Sequence, residues 1–321
     1  MKKSTKSICI ILLVCLIIST SLPVNATENY IDPSTSSSID LITKNCQTGE
    51  FTYSTFTSEP RSNQSAVARD SGNGLYAEST QAWFPSGAIG DTHSESIVSP
   101  FSIIGTDNRT KVSNTTQFPY SAICYLEVKF ADGYTSYGTA FMISKNIALT
   151  AGHTLYDHDH GWAEKSKITP GKDGYGIWNN PYGTDANLTI TASAEWVDNG
   201  TPTYDWGIIE TGSNIGERTG WLGIGWSNQS FVGTSVTISG YPYSTDPFYQ
   251  YYMTGTITTS TSLLLYSDNI DTTDGQSGSP IFTNDYTACG IFAAGYSTDS
   301  SGPRITQGMY DLFVYCINNA A

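Results

Sequence analysis

The sequence predicts an all-β fold, built of short antiparallel strands in a sandwich or barrel and closed by one helix. Three observations lead to this class. Short apolar runs recur from about residue 102 onward, separated by turn-forming clusters such as "NNPYGTDAN" and "SGYPYSTDP"; this spacing is typical of strands joined by turns. The 321 residues include 30 Gly and 21 Tyr, with only 14% charged residues, which suits a β-rich secreted domain. At the C-terminus, apolar residues instead follow a helical period.

The predicted strands and the helix follow one another along the chain. The strand candidates are "AICYLEVKF", "YGTAFMIS", "NIALTA", "LTITASAEW", "WGIIE", "FVGTSVTIS", "LLLYS", "SPIF" and "CGIFAAGY". The helix candidate carries Met309, Leu312, Phe313, Cys316 and Ile317 on one face. Because no helices alternate with the strands, a parallel α/β sheet is excluded.

The first 26 residues predict export. A basic start is followed by an apolar run from Ile8 to Ile18 and by a small-x-small ending at 24–26. This arrangement is typical of a cleaved signal peptide, and the apolar run is too short for a comfortable membrane span. We therefore expect a secreted, extracellular protein.

Residues 27–98 have a different composition from the rest of the chain. Stretches such as "STSSSID" and "STFTSEPRSNQSAVARDSGNG" are rich in Ser, Thr and Asn and contain few spaced apolar residues. Segments of this kind bury little apolar surface. We expect weakly structured material, either a pro-segment or a linker.

Charge and cysteine content exclude some functions and leave others open. A net charge of −14 argues against nucleic acid or an anionic membrane as partner, since both require a basic face.

The cysteine content is reduced by export, because Cys9 and Cys15 are removed with the predicted signal peptide. Four cysteines remain, without metal-like spacing, and one disulfide is possible among them; the sequence leaves its pairing open: Cys46, Cys124, Cys289 and Cys316.

Three local patterns occur in the order His, Asp, Ser. His153 follows an apolar strand in "ALTAGHT", Asp205 begins another in "TYDWGIIE", and Ser277 lies in "DGQSGSP". A serine hydroxyl needs an imidazole base, and the imidazole needs a carboxylate that fixes its tautomer. Each pattern alone is weak, because His153 and Asp205 can be structural and Ser277 a loop residue. Their order is that of the chymotrypsin-type triad, whereas lipases and subtilisins use other orders.

From about residue 102 to its end, the chain resembles the secreted bacterial glutamyl endopeptidases, a branch of the chymotrypsin-like serine proteases. The stretches that carry the resemblance are spread over the whole region. They are "SIIGTDNRTKVSNTTQFPYSAI" (102–123), "TAGHTLYD" (150–157), "YDWGIIE" (204–210), "DTTDGQSGSPIF" (271–282) and "PRITQGMYDLF" (303–313).

The resemblance implies a role for each residue of the three patterns. His153 is expected to be the general base, Asp205 the residue that orients it and Ser277 the nucleophile, with an oxyanion hole made by the backbone N–H groups of Gly275 and Ser277. It also implies two packed antiparallel β-barrels of the chymotrypsin type, with the triad in the cleft between them. Thr154 departs from the pattern, because many relatives have a cysteine there.

The resemblance also implies a division of the chain into three parts. Residues 1–26 are the expected signal peptide, 27–101 a propeptide and 102–321 the protease domain. The expected protein is a monomer made as a zymogen, which acts on proteins or peptides and binds neither nucleic acid nor, after signal cleavage, a membrane.

The residues expected to bind substrate give a mixed indication of specificity. In the family, preference for Glu depends on a Thr five residues before the nucleophile, on a His in the strand that lines the pocket and on the mature N-terminus. Thr272 matches the first, and Phe292 replaces the second. An apolar ring cannot donate a hydrogen bond to a carboxylate, and a buried unpaired charge is costly. Asp271 lies where trypsin-like enzymes hold the carboxylate that pairs with Lys or Arg, yet some glutamyl enzymes also have Asp there; a turn or surface position is the other interpretation. We predict an endopeptidase whose primary specificity is not reliably Glu.

The sequence also leaves open a metal site at two histidines and two functions other than that of an active protease. His158 and His160 in "YDHDHGW" offer a metal site, but the spacing matches none of the common zinc patterns and favours a solvated loop. No cofactor is expected, and a structural calcium ion stays open. The alternatives to an active protease are a catalytically inactive homologue that acts as a binding protein and a β-sandwich that binds carbohydrate.

Overall fold

The computed structural model describes residues 37–58, 75–85, 103–104, 106–243, 246–295 and 298–320. The strands are β1 (Ser37–Asn45), β2 (Phe51–Ser58), β3 (Glu78–Ser79), β4 (Thr110–Lys111), β5 (Ile123–Phe130), β6 (Thr135–Met142), β7 (Ile147–Thr150), β8 (Tyr156–Asp157), β9 (Gly161–Pro170), β10 (Asp185–Ser193), β11 (Gly207–Thr211), β12 (Gly223–Trp226), β13 (Ser235–Gly240), β14 (Tyr251–Thr256), β15 (Thr259–Ser260), β16 (Leu264–Ser267), β17 (Pro280–Phe282), β18 (Thr287–Ile291), β19 (Ala294–Gly295) and β20 (Ser300–Pro303). The helices are α1 (Ala194–Asn199), α2 (Gly216–Thr219) and α3 (Gln307–Asn319), and short 3-10 turns lie at Tyr120–Ala122, Gly152–Thr154, Ile177–Asn179 and Pro202–Tyr204.

Six strands close the first barrel. The antiparallel order is β10-β11-β7-β6-β5-β9, and β9 pairs again with β10 through Asp185↔Ile168 and Ala186↔Lys167. The central strands are apolar because they are covered on both faces; all four residues of β7 are buried. Their side chains fill the larger core of the molecule. Closure removes the exposed strand edges that an open sheet would leave.

Two sheets surround the second core. One has seven strands in the order β3-β12-β18-β17-β13-β14-β4, and the other has four in the order β15-β16-β20-β19. An isolated bridge between Gly290 and Arg304 joins them. Their inner faces contribute residues such as Val236, Leu265 and Ile281 to one buried cluster. The predicted all-β, chymotrypsin-like class is confirmed. Where a second antiparallel barrel was predicted, the structure has these two sheets, and β12 pairs with β18 in parallel.

The C-terminal helix is also confirmed. The Thr306 hydroxyl accepts a hydrogen bond from the Met309 amide, which caps the first turn of α3. Leu312 and Phe313 are buried, and the Phe313 ring meets the Trp206 ring edge to face at 5.6 Å. The helix therefore packs on the first barrel beside the strand that follows Asp205. Among the described helices, none is long and apolar enough to cross a membrane.

The expectation of weak structure before residue 102 is wrong for residues 37–58. β1 and β2 form a hairpin, and β1 pairs with β10 from Leu41↔Ser193 to Asn45↔Thr189. Ile39 and Leu41 are buried in the larger core, which they share with Leu312 of α3. These few apolar residues are buried only because the barrel and the helix supply the opposite surface, a partner that the local sequence cannot reveal.

Residues 75–85 are also ordered, against the second sheet. β3 pairs with β12 through Glu78↔Trp226 and Ser79↔Gly225, and the Trp83 and Trp221 rings stack at 4.5 Å. A side chain at Gly225 would meet the Tyr76 ring at 2.5 Å, so this close approach requires glycine. The described part of 27–101 thus contacts both halves of the molecule. The predicted signal peptide and the predicted processing point at residue 102 lie outside the described residues.

The four cysteines whose pairing the sequence left open form no disulfide with one another in the described residues. Within the described residues all four are free thiols, with Cys124 and Cys289 buried and Cys46 and Cys316 partly exposed. Burial raises the pKa of Cys289 to about 12, with smaller opposing effects from neighbours such as Arg304. A buried thiol of this kind contributes as an apolar side chain.

Candidate active site

His153 lies in a short turn at the end of β7. The turn Gly152–Thr154 begins directly after Ala151, and the Thr154 hydroxyl donates to the Ala151 carbonyl at 2.7 Å. A side chain at Gly152 would approach the Trp196 ring at 3.0 Å and an Asp205 carboxylate oxygen at 3.1 Å. Glycine therefore allows the histidine turn to sit against the carboxylate. Thr154, where the resemblance implies a cysteine, stabilises this turn by hydrogen bonding.

Asp205 contacts His153 with both carboxylate oxygens. Its Oδ2 lies 2.8 Å from His153 Nδ1, and its Oδ1 accepts the His153 backbone N–H at 2.8 Å. The carboxylate side chain is 9% exposed, and the imidazole is 31% exposed. Because a carboxylate only accepts, Nδ1 carries the proton and Nε2 is left as the basic nitrogen. This is the arrangement expected of a base and the residue that orients it.

The pKa of His153 reflects two opposing effects. Burial lowers it, but the charge of Asp205, the hydrogen bond to that carboxylate and the charge of Asp157 outweigh burial and raise the pKa above its ordinary value of 6.5. The imidazolium form of His153 is thus stabilised by the two nearby carboxylates. A base that becomes cationic during the reaction benefits from such stabilisation.

Ser277 lies in a tight loop that two glycines make possible. Gly275 and Gly278 have φ of 92° and 88°, in the left-handed region that favours glycine. A side chain at Gly275 would lie 2.4 Å from the Tyr241 carbonyl, and one at Gly278 would lie 2.0 Å from the Thr139 carbonyl. The Ser277 carbonyl accepts the Thr139 amide at 2.8 Å, which ties the loop to β6. The loop backbone is therefore held between the two halves of the molecule.

The amides of Gly275 and Ser277 have no hydrogen-bond acceptor among the described residues. A buried N–H group without an acceptor is rare, since leaving it unpaired costs free energy. Two such N–H groups, separated by one residue along the chain, can stabilise an oxyanion. The Ser277 and His153 side chains line the same cleft but are not hydrogen-bonded to each other in the described structure. Such a contact often tightens only when substrate binds.

An ion pair that sequence analysis missed supports the serine loop. Arg109 is 1% exposed and pairs with Asp107 at 2.7 Å. Its Nη1 donates to the Thr273 hydroxyl at 2.6 Å and to the Gln276 side-chain oxygen at 2.8 Å. The same Gln276 oxygen accepts the Thr273 amide at 3.0 Å, so the network braces the loop from Thr273 to Ser277. The "DNR" motif at 107–109 offers a charge pair, but nothing in it points to a partner more than 160 residues away.

A cleft of about 240 Å³ lies beside Ser277. It is lined by His153, Thr273, Asp274, Ser277, Phe292, Ala293, Ala294 and Gly295. Phe292 is 2% exposed, and its backbone N–H and C=O bond to the Ser279 carbonyl and the Gly278 amide. Among the described lining residues none is Lys or Arg, and Asp274 contributes a negative charge.

Asp271 and Thr272 do not line this cleft. The Asp271 carboxylate is buried and accepts the backbone N–H groups of Ile104 at 2.8 Å and Asn108 at 3.0 Å. The Thr272 hydroxyl is fully buried and bonds to the Ser300 hydroxyl at 2.6 Å. Of the three residues predicted to bind substrate, only Phe292 lies on the cleft wall, while the other two lie behind it. Asp271 thus joins the start of the predicted protease domain to the loop before Ser277, and Thr272 joins that loop to β20.

The two other histidines have ordinary partners. His160 Nδ1 lies 2.7 Å from Asp132, and its ring stacks on Tyr134 at 4.0 Å. His158 meets the Trp196 ring edge to face at 5.0 Å. Within the described ranges, no three or more His, Cys, Asp or Glu side chains are grouped as metal ligands.

Comparison with known proteins gives consistent matches. The trypsin family model matches residues 107–312. A Bacillus licheniformis glutamyl endopeptidase is 35% identical over 232 residues, covering 68% of this chain and 70% of that protein. A Bacillus subtilis protein named extracellular metalloprotease is 35% identical over 226 residues, covering 68% of this chain and 71% of that protein.

A solved structure supports the same grouping. The structure of a Glu endopeptidase in complex with MPD superposes with a TM-score of 0.60 at 31% identity. The match covers 68% of this chain and all of that one. The metal implied by the name of the B. subtilis protein has no matching ligand group among the described residues of this chain, so no step is assigned to a metal.

Proposed function

Because the chain belongs to the glutamyl endopeptidase family of trypsin-like serine proteases, we propose that it cleaves proteins or peptides through an acyl-enzyme on Ser277. The observation that carries this proposal is the His153–Asp205 pair beside the two unpaired amides at Gly275 and Ser277. In the proposed reaction His153 is the base, Asp205 orients it, Ser277 is the nucleophile and the two amides are the oxyanion donors. No cofactor is needed for the proposed reaction.

The first half-reaction forms the acyl-enzyme. Ser277 Oγ attacks the carbonyl carbon of the scissile bond while His153 Nε2 takes its proton. The carbonyl oxygen becomes negative and accepts the N–H groups of Gly275 and Ser277. Asp205 holds the Nδ1 proton and stabilises the imidazolium. The C–N bond then breaks as the imidazolium gives its proton to the leaving amine.

The second half-reaction releases the acyl group. Water enters the position that the amine has left and gives a proton to His153 Nε2 as its oxygen attacks the acyl carbon. The same two amides bind the second oxyanion. Collapse returns the proton to Ser277 Oγ and frees the carboxylic acid. Both halves use the same groups in reverse order, so one arrangement of residues serves both.

The cleft wall supports a preference for P1 residues other than Glu, where P1 is the residue before the scissile bond. Phe292 has no hydrogen-bond donor for a carboxylate, and Asp274 would repel one. The lining supplies no Lys or Arg among the described residues. Asp271 and Thr272 act in this proposal by supporting the wall from behind.

We further propose that the protein is exported, made as a precursor and processed near residue 102. The signal-like segment 1–26 and the composition of 27–101 support this. N-terminal sequencing of active protein from culture supernatant should find a start between Pro100 and Ile104. Active protein that begins at Thr27 would refute the processing step.

Labelling with a serine-directed fluorophosphonate tests the proposed reaction. The processed protein should be labelled on Ser277, should lose the label completely in Ser277→Ala and should be labelled more slowly in His153→Ala. Ser279→Ala is the matched control, because Ser279 is fully buried two residues away. Absence of label on the processed wild-type protein would instead favour a catalytically inactive homologue that acts by binding.

A further inference from the structure

A second cavity lies on the first barrel, away from the cleft at Phe292. It has a volume of about 220 Å³, and its lining includes Tyr125, Lys172, Phe248 and the ion pair of Lys167 with Glu127 at 2.8 Å. Since Glu127 is paired with Lys167, Lys172 is the lysine of this lining that has no carboxylate partner among the described residues.

Lys172 is the buried cation of this cavity. The residue is 7% exposed, and its Nζ donates to the Asn180 side-chain oxygen at 2.9 Å and lies 5.2 Å from the centre of the Phe248 ring. No carboxylate forms an ion pair with it among the described residues. Burial lowers the pKa of Lys172, and the nearby Glu127 charge opposes this effect. A bound anion would compensate for the lost hydration of the ammonium group.

Tyr125 adds an unused hydrogen-bonding group. The residue is 3% exposed, and its buried hydroxyl has no hydrogen-bond partner within the described part of the chain. Buried polar atoms nearly always have a partner, so an unpaired one in a cavity wall indicates a missing ligand or water. Lys172 Nζ lies 5.7 Å from the Tyr125 ring. An ammonium and a hydroxyl donor in one cavity suit a carboxylate.

Stacked tyrosines connect this cavity to the catalytic loop. Tyr243 contacts the backbone of Gly275 so closely that a side chain there would lie 2.4 Å from the Tyr243 nitrogen. The Tyr243 and Tyr137 rings stack at 4.6 Å, and the Tyr137 and Tyr125 rings at 5.7 Å. Tyr243 is 46% exposed, so a peptide can lie across it. A series of ring contacts therefore links the serine loop to the cavity at Lys172.

The position of the serine loop indicates which half of a substrate crosses this surface. Gly278 bonds to Phe292 on one side of the loop, and Ser277 bonds to Thr139 on the other. A substrate that places its P1 side chain against the wall at Phe292 therefore extends its leaving-group half past β6, over Tyr137 and Tyr243. The ring-to-ring distances from Tyr243 to Tyr137 and from Tyr137 to Tyr125 are 4.6 and 5.7 Å. Each extended residue adds about 3.3 Å, so we expect the second to fourth residues after the scissile bond to reach the cavity.

Resting on the proposed endopeptidase activity, we infer that the Tyr125–Lys172 cavity binds a carboxylate in the leaving-group half of the substrate. The carboxylate is either an Asp or Glu side chain two to four residues after the scissile bond or the free C-terminus of a short peptide. The ammonium of Lys172 and the hydroxyl of Tyr125 are its two donors. Selection by this protease then includes a charged residue after the cut.

Matched peptides test the inference. The acyl half is held constant, and the second, third or fourth residue after the scissile bond is Glu or Gln; a second pair ends in a free acid or an amide. We expect kcat/KM to be about 10-fold higher for the acidic member at one position, as for a charge-assisted hydrogen bond. Lys172→Met should remove the preference and keep kcat/KM for the Gln peptides within about twofold. Lys165→Met, a change of an exposed lysine on β9, should leave the preference intact.

Two further measurements keep the inference falsifiable. If Lys172→Met does not fold, Tyr125→Phe removes only the hydroxyl and should reduce the preference by about threefold. Equal cleavage of acidic and neutral peptides by the wild type would overturn the inference and leave the endopeptidase standing. If no peptide is cleaved, the proposed function fails, and fluorescence anisotropy then measures binding of labelled Glu and Gln peptides to Ser277→Ala. Equal binding there would overturn the cavity assignment as well.

Discussion

The catalytic centre and the cleft wall beside it share Ser277 and His153 but differ in how their charges are paired. In the centre, both oxygens of Asp205 contact His153. On the wall, Asp274 is an exposed carboxylate, and the described lining contains no Lys or Arg to pair with an acidic substrate. Bond cleavage and substrate choice thus depend on different residues of the same loops. Membership of the family therefore predicts the reaction better than it predicts which substrate is preferred.

The largest effect is expected at the centre, from Asp205→Asn. The amide keeps the shape of the carboxylate but donates to Nδ1 and so favours the wrong imidazole tautomer. We expect kcat/KM to fall by about 10⁴-fold, the size of the effect in the well-known trypsin example. Steady-state kinetics with a good peptide substrate measure it, with Asp159→Asn on a nearby exposed turn as control. A loss below about 10-fold would show that His153 does not depend on Asp205.

On the wall, Phe292→His is expected to change specificity. The histidine adds a donor at the position where the resemblance expects one, so a P1 Glu gains a partner. The ratio of kcat/KM for P1 Glu to that for P1 Gln should rise by about 10-fold. Phe292→Leu, which removes the ring without adding a donor, should leave the ratio within about twofold. An unchanged ratio in both variants would show that the side chain of residue 292 does not contact P1.

A smaller effect is expected from Asp274→Asn. Removing an exposed negative charge from the cleft should raise kcat/KM for P1 Glu by about two- to threefold, because solvent screens most of the repulsion. The P1 Gln substrate should be unaffected. The gain should shrink at 1 M salt, where the Debye length is about 3 Å. A gain that does not depend on salt would point to a change of cleft shape instead of charge.

The smallest effect is on pH dependence. His153 must be neutral to act as base, and its pKa is raised, so kcat/KM should fall with decreasing pH at a pH above 6.5. Asp157→Asn removes the smallest of the charges that raise the pKa of His153, so it should shift this acidic limb slightly toward lower pH. A pH profile of kcat/KM measures both. An acidic limb well below pH 6 would contradict the assigned balance of burial and charge.

The parts that the sequence predicted are those fixed by local patterns. His153 and Asp205 lie beside buried strands, and Ser277 lies in a loop whose glycines the backbone requires. The apolar strands and the amphipathic C-terminal helix carry periodicities that can be recognised within a dozen residues. Those local signals were enough for the all-β fold, and the order of the motifs suggested the triad.

The parts that the sequence did not predict depend on distant contacts. Arg109 braces Thr273 and Gln276 from more than 160 residues away. The alternatives for Asp271 could not be separated without its bonds to Ile104 and Asn108. Weak structure was expected at 37–58 because this part of the chain is rich in Ser and Thr and has few spaced apolar residues. The hairpin is instead stabilised by contacts with β10 and α3, which lie much later in the chain.

The digest of a diverse peptide library by the processed enzyme, analysed by mass spectrometry, tests the central claim most directly. We expect efficient cleavage that is abolished in Ser277→Ala and is not predominantly after Glu. Predominant cleavage after Glu would contradict the interpretation of the Phe292 wall, and no cleavage at all by the wild type would contradict the assignment of Ser277 as nucleophile.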